Sequence, residues 1–254
     1  MDGLSIRICH LYPDLLNTYG DKGNVTALLK RCQWRNIEAE VVPVSLGDAF
    51  DPDQYDIVCI GGGQEREQAT VCQDMIDKAD SIKASLAQGK VWLCISSGMQ
   101  IMGKYYVNSQ GEKIQGLGAV DFWTEASKNK IQGDVVAECN FVGGVEDQDT
   151  YVVGFESHSG RTYLGEGVEP LAKVLVGQGN NGTDGTEGAV VGNIFCSYLH
   201  GSLLPKNYRL TDLLISRALV GKYGQEVADQ AMANTPDFAV EELARKGCIS
   251  RVLH

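Results

Sequence analysis

The chain has 254 residues, is 43% apolar and carries a formal net charge of −11. That length suits one domain with a full core and a small appendage. The acidity argues against nucleic acid as a partner, since phosphate binding needs a basic footprint, and no apolar run is long enough to cross a membrane.

The start of the chain, "MDGLSIRICHLYPDLL", lacks a basic n-region and a small-residue cleavage site, so it does not read as a signal peptide; the expected location is cytoplasmic. "LSIRICHLY" predicts the first strand. "DKGNVTALLKRCQWR" predicts a helix with Asn24 as a possible cap and an apolar face at Val25, Leu28, Leu29 and Cys32. "IEAEVVPVSL" alternates as a strand. "YDIVCIGGG" is a buried strand ending in three glycines. "EREQATVCQDMIDKADSIKASLAQGK" predicts a long helix, broken near Asp77–Asp80 and stopped at Gly89. "VWLCI" is the next buried strand. Such alternation predicts an α/β fold with a mostly parallel sheet and helices on both faces.

After Tyr106 the pattern changes to short β-like runs: "GAVDFWTEA", "DVVAECNFVG", "TYVVGFESHSG", "LAKVLVG" and "GAVVGNIFCSYLHG". Gly, Asn and Asp turns separate them, and "GNNGTDG" reads as a mobile hairpin tip. From "KNYRLTDLLISRALVGKYG" onward the chain reads as helical. The eight cysteines, Cys9, Cys32, Cys59, Cys72, Cys94, Cys139, Cys196 and Cys248, are scattered without a CxxC pair. They suit reduced core positions better than a zinc site or a disulfide framework, and nothing calls for a metal or a cofactor.

One junction stands out. In "VWLCISSGMQIMG" an apolar strand stops at two serines and a glycine, and a helix pattern starts at once. Ligands of doubly wound sheets bind beyond the carboxyl ends of the strands. A sharp strand-to-helix turn holding out a nucleophile needs small residues two before and two after it. Around Cys94 those positions are Trp92 and Ser96, and Trp92 is too large. Around Ser96 they are Cys94 and Gly98, both small. The turn therefore presents Ser96 and leaves Cys94 to the strand. The backbone N–H of Ser97 starts the following helix, where developing negative charge is favoured. A glycine of "GGGQEREQ" permits the close approach of a second N–H. Among the histidines, His10 sits in the first strand, His158 is expected on a turn between strands, and His254 is the chain end, where order is usually poor. His200 follows the strand "GNIFCSYLHG" and points over the same sheet edge, which makes it the leading candidate for a base.

Four segments in order, "IGGGQEREQ", "ISSGMQIMG", "GFESHSGRTY" and "CSYLHGSLLPKN", resemble class I glutamine amidotransferases of the cobyric-acid-synthase-like branch. Within it, "NTYGDKGN" and "GRTY" look most like the glutaminase subunits that serve amidation of lipid II. The resemblance runs from about Ile6 past Asn207. It implies an amidotransferase domain over residues 1–206 with C-terminal helices over 207–254 packed on it. It implies hydrolysis of L-glutamine to glutamate and ammonia, and transfer of that ammonia to a Mur-ligase-like, ATP-using partner that amidates the D-glutamate of lipid II. It also implies roles. The family cysteine falls on Ser96, because Gly98 and Gln100 match its CGGxQ, and the general base falls on His200. The oxyanion donors would be the N–H groups of Ser97 and of Gly62 or Gly63, and Gln100 would help define the glutamine pocket. A family arginine appears here as Lys130 or Lys128, a cation for substrate steering. The acid that other glutaminases carry two residues after the histidine is Ser202, as this branch leads one to expect.

A serine at position 96 departs from the family. A thiol ionises near pH ~8.5 and lower beside a histidine or a helix start, whereas a serine hydroxyl needs a strong, oriented base. The expectation is a form that binds glutamine and barely turns it over, either a Cys→Ser replacement, favoured because every other site feature survives, or a naturally degenerate subunit. Two other readings are a non-catalytic scaffolding subunit and an amidotransferase for a cobyrinate-type acid. The latter enzymes usually carry their synthetase domain on the same chain, and this sequence has no GxxxxGK[ST] loop.

Overall fold

The structure, a computed structural model, describes residues 3–143 and 149–253; His254 lies outside them. The chain begins with β1 (Ser5–Leu11), α1 (Lys22–Trp34), β2 (Glu38–Val44), β3 (Ile57–Ile60), α2 (Glu65–Asp77), α3 (Ala79–Ala87), β4 (Val91–Ile95) and α4 (Ser97–Met102). The break between α2 and α3 falls at Lys78, as expected. Next come β5 (Tyr105–Val107), β6 (Lys113–Gln115), β7 (Phe122–Glu138), β8 (Tyr151–Leu164), β9 (Ala172–Val176), β10 (Thr186–Glu187), β11 (Ala189–Val191), β12 (Ile194–Ser197) and β13 (Leu199–His200). Four helices close the described chain: α5 (Leu203–Lys206), α6 (Tyr208–Tyr223), α7 (Gln225–Ala233) and α8 (Ala239–Leu253).

The first sheet runs β11-β12-β4-β3-β1-β2. Its pairs are parallel except β11, an antiparallel edge strand. Every residue of β3, β4 and β12 is buried, because helices cover both faces. Along β4 the side chains alternate. Val91, Leu93 and Ile95 join the core under α1 and α6. Trp92 and Cys94 join the core under α2, α3 and α4. The α/β architecture with a mostly parallel sheet and helices on both faces is therefore present.

The second sheet is mainly antiparallel, in the order β10-β9-β7-β5-β6, with β8 between β7 and β13. Two short runs expected here are one strand: β7 spans 17 residues and β8 spans 14. Their register breaks only between Ala126 and Ile131. The polar residues there hid the continuity, because an exposed ribbon needs no alternating apolar side chains. His158 is inside β8, paired with Ile131, and not on a turn. After β12 the chain leaves the first sheet, and β13 pairs with β8 through Leu199↔Glu156 and His200↔Phe155. His200 thus sits where the two sheets meet.

Two further expectations are corrected. Asn24 does not cap α1. It lies inside the helix, and its Oδ1 accepts from the Leu204 N–H at 2.8 Å. "GNNGTDG" is pinned down: the Asn180 side chain brackets Gly188, and Asn181 Nδ2 donates to Thr162 O at 3.0 Å. The C-terminal helices pack on the sheets. Buried Arg31 grips Asp212 of α6 with two bonds of 2.7 and 2.6 Å, and Arg35 adds a third of 2.9 Å. Ile249 of α8 packs on Val136 and Val153.

Candidate active site

Three parallel strands and the β12–β13 turn end at one edge of the first sheet. There the chain forms a cavity of about 440 Å³. Ser96, Ser97, Gln100, Gly62, Gly63, Lys130 and His200 all line it. Lys128, the other candidate cation, does not appear in its lining.

Ser96 occupies the turn between β4 and α4 with φ 53° and ψ −110°. Such a backbone costs a non-glycine residue about 1–3 kcal/mol. It is held by the Ser96 N–H on Ser197 O (2.9 Å), the Gly98 N–H on Gly61 O (3.2 Å) and the Gln100 N–H on Ser96 O (3.0 Å). Gly98 must be glycine here, since a Cβ would come within 2.9 Å of both Ile60 Cγ2 and Ile60 O. Cys94 is fully buried two residues earlier. Burial, then its hydrogen bond and charge coupling to Cys196, push its thiol well above its ordinary range. A thiol in that setting is a core side chain and not a nucleophile.

His200 is 1% exposed. Its imidazole and Ser96 converge on Gly62, where a Cβ would lie 2.9 Å from Ser96 Cβ and 3.0 Å from His200 Cε1. Among the described residues neither ring nitrogen of His200 has a hydrogen-bond partner, so Ser96 Oγ is not bonded to it in this state. The Tyr19 ring tilts over the imidazole at 4.9 Å between centroids, and its hydroxyl bonds Ser157 Oγ at 2.9 Å on the far wall.

Around the nucleophile position the donors divide. The Ser97 N–H opens α4 and makes no hydrogen bond to another described residue. The Gly62 N–H donates to Asp21 Oδ2 at 2.8 Å. The Gly63 N–H donates to Ser97 Oγ at 3.2 Å, and that hydroxyl donates back to Gly63 O at 2.8 Å. Gln100 is fixed at both ends of its amide: Oε1 accepts from Gln68 Nε2 at 2.7 Å and Nε2 donates to Tyr198 Oη at 2.9 Å. Behind it, Tyr198, Thr162 and Thr124 form a buried hydroxyl chain with 2.7 Å links.

His158 lines the same cavity, stacked on Tyr198 at 3.8 Å. Burial lowers its pKa to about 4, so it is neutral near pH 7, and Nδ1 donates to Gly160 O at 2.8 Å. His10 is buried in β1, outside the cavity lining. Among the described residues, no group of three His, Cys, Asp or Glu could hold a metal ion.

The geometry adds residues that the sequence did not single out: Asp21, Tyr19, Gln68 and Tyr198. Ser202, at the position where other glutaminases carry an acid, donates its Oγ to Gly20 O at 2.6 Å. The acid nearest His200 is Asp21, with Oδ1 3.5 Å from Nδ1. A signal for it was available: it follows β1, whose carboxyl end lies on the same edge as those of β3 and β4.

Residues 7–208 match the CobB/CobQ-like glutamine amidotransferase domain family. The "Lipid II isoglutaminyl synthase (glutamine-hydrolyzing) subunit GatD" of Streptococcus pneumoniae is 39% identical over 223 residues, 87% of this chain and 84% of that protein. The protein of the same name from Staphylococcus aureus is 39% identical over 213 residues, 84% of each. A probable cobyric acid synthase of Methanothermobacter thermautotrophicus is 29% identical over 79% of this chain but only 40% of its own length. Among solved structures, PurLQS from Thermotoga maritima shares the fold at a TM-score of 0.56 and 17% identity, covering 90% of this chain and 98% of that one.

Proposed function

The chain belongs to the CobB/CobQ-like glutamine amidotransferase family, and on that premise we propose that it is the glutamine-hydrolysing subunit of a lipid II isoglutaminyl synthase. Residues 1–206 form the amidotransferase domain and 207–254 the helices packed on it. The subunit works in the cytoplasm, in a heterodimer with a Mur-ligase-like, ATP-using partner. That partner receives the ammonia and amidates the D-glutamate of lipid II. The support is the identity to two subunits of that name, over most of both chains.

The geometry around Gly62 supports the following roles in this reading. A nucleophile at position 96 attacks the side-chain carbonyl carbon of glutamine, and His200 takes its proton. The oxyanion faces the Ser97 N–H at the start of α4. The C–N bond breaks as His200 returns the proton to the leaving nitrogen, which departs as ammonia. Water, deprotonated by His200, then cleaves the glutamyl ester or thioester to glutamate. Gln100 reads the substrate from its fixed amide, and Lys130 attracts the α-carboxylate. With a hydroxyl at position 96 the first step is slow, so this form holds glutamine and hydrolyses little of it.

The carrying observation is the strained turn that brings Ser96 and the His200 ring together against Gly62. The test is Ser96→Cys, assayed for glutamate release alone and with the partner, ATP and lipid II, the amidated product being identified by mass spectrometry. The expected gain in kcat is on the order of 100-fold or more, with Cys94→Ala tolerated in that background. If Ser96→Cys adds no activity and Cys94→Ala abolishes what exists, the assignment is wrong.

A further inference from the structure

The segment "NTYGDKGN" marks the resemblance to the family, yet the proposed chemistry uses none of it. In the structure it is fastened to the site from several sides. The Thr18 N–H donates to Gly62 O at 2.8 Å. The Ser202 hydroxyl donates to Gly20 O at 2.6 Å, and the Leu204 N–H to Asn24 Oδ1 at 2.8 Å. Asn17 Oδ1 accepts from the Lys22 N–H at 2.8 Å. Gly23 leaves the room Ser202 needs, because a Cβ there would lie 2.8 Å from Ser202 Cβ. These bonds place Asp21 beneath the imidazole. Its side chain is 2% exposed and that of His200 is 1% exposed.

The two carboxylate oxygens have different tasks. Oδ2 is committed to the Gly62 N–H at 2.8 Å. Among the described residues Oδ1 has no hydrogen-bond partner, and it faces His200 Nδ1 at 3.5 Å. A buried carboxylate oxygen left unpaired is costly, and the imidazole nitrogen is the group it faces. We infer that Asp21 is the positioning residue of His200: it holds the ring proton on Nδ1 and leaves the Nε2 lone pair to act as base.

The inference rests on the glutaminase reading for its consequence but not for its geometry. A neutral imidazole carries one N–H and one acceptor nitrogen, and the partner of one nitrogen decides the state of the other. A carboxylate cannot donate, so Nδ1 must. When Nε2 accepts the nucleophile's proton, the imidazolium faces a buried negative charge, and the 3.5 Å separation contracts by roughly half an ångström. The acid missing at Ser202 is thus supplied from the other end of the chain, and Ser202 instead secures the loop that carries it.

Asp21→Asn tests this, because the Gly62 N–H still requires an acceptor. The asparagine carbonyl takes that place, its NH₂ faces Nδ1, and the ring must move its proton to Nε2. In protein labelled with ¹⁵N-histidine, His200 is identified as the signal lost in His200→Gln. The expected tautomer is Nδ1–H in the unmodified chain and Nε2–H in Asp21→Asn. In the Ser96→Cys background, Asp21→Asn should lower kcat about 100-fold with KM changed less than about threefold.

An Nε2–H tautomer in the unmodified chain overturns the inference, and so does the same tautomer in both proteins, even if activity falls. A kcat retained within twofold also overturns it. The reading of the unmodified chain decides the pairing even if Asp21→Asn fails to fold. If Ser96→Cys hydrolyses no glutamine while the tautomer switches as expected, the glutaminase reading falls and the Asp21–His200 pairing stands.

Discussion

The two walls of the cavity are built differently. On the sheet wall, Asp21, Gly62, Ser96 and His200 are buried or half-buried at the ends of packed strands, and main-chain bonds fix the turns that carry them. On the ribbon wall, β7 is exposed at Glu125, Ala126 and from Lys128 to Lys130, where its pairing with β8 lapses. Strain such as that at Ser96 persists only where the surroundings over-determine it, so the proposed covalent step suits the first wall. Recognition of the substrate's charged end suits the second, whose long side chains adapt at little cost.

The sharpest way to break this contrast is Gly62→Ala in the Ser96→Cys background. The added Cβ forces Ser96 and His200 apart, and kcat/KM should fall about 1,000-fold, about 4 kcal/mol of transition-state stabilisation. Activity kept within threefold, read by glutamate release, would mean that the sheet wall yields.

The next effect concerns stability and separates the walls by pH. Glu187 lies under the segment that crosses from β12 to β13, accepting from Ser197 Oγ at 2.6 Å and the Tyr198 N–H at 3.0 Å. Burial raises its pKa to about 7 from 4.5. The folded chain keeps this proton where the unfolded chain has lost it, so its contribution falls as pH rises from 4.5 to about 7, by about 3 kcal/mol at most. His158 on the ribbon side acts oppositely. Folded, it stays neutral down to about 4, while the unfolded ring protonates below 6.5, so stability falls as pH drops from 6.5 to 4. The two slopes oppose between pH 4.5 and 6.5. Urea unfolding of Glu187→Gln should therefore show a steeper loss toward acid than the unmodified chain. An unchanged profile removes Glu187 from this account.

Smaller still is Lys130→Ala. In the Ser96→Cys background it should raise KM for glutamine about tenfold, about 1.4 kcal/mol, with kcat within threefold, while Lys128→Ala changes neither. A drop confined to kcat would move Lys130 into the chemistry and blur the division between walls. The least effect is expected for Cys94→Ala: about 1 kcal/mol of stability by denaturant titration, with glutaminase activity within twofold.

The sequence was most readable where burial is uniform. "IVCI" and "VWLCI" are apolar throughout because helices cover both faces, and their ends mark the edge where ligands bind. The position of Ser96 follows from two local volumes, Trp92 too large and Gly98 small, so local sterics sufficed. Legibility failed where structure depends on distant partners. β7 looked like two strands because its exposed middle has no core to face. His158 looked like a turn residue because Ser157, Ser159 and Gly160 surround it, yet it pairs with Ile131 and stacks on Tyr198. Ser202 was opaque for the same reason, since no local pattern shows a hydrogen bond to a residue 182 positions away, and the signal that put Asp21 at the sheet edge says nothing of its approach to His200.

That separation has a consequence for how the protein is made. The bonds from Ser202 to Gly20 and from Leu204 to Asn24 each span about 180 residues of sequence. The loop bearing Asp21 is synthesised early and can close on Gly62, but its bonds to Ser202 and Leu204 wait until the chain beyond His200 has emerged and docked. Contacts of such high sequence separation form late, after most of the loop entropy has been lost. The site therefore matures with the last part of the chain.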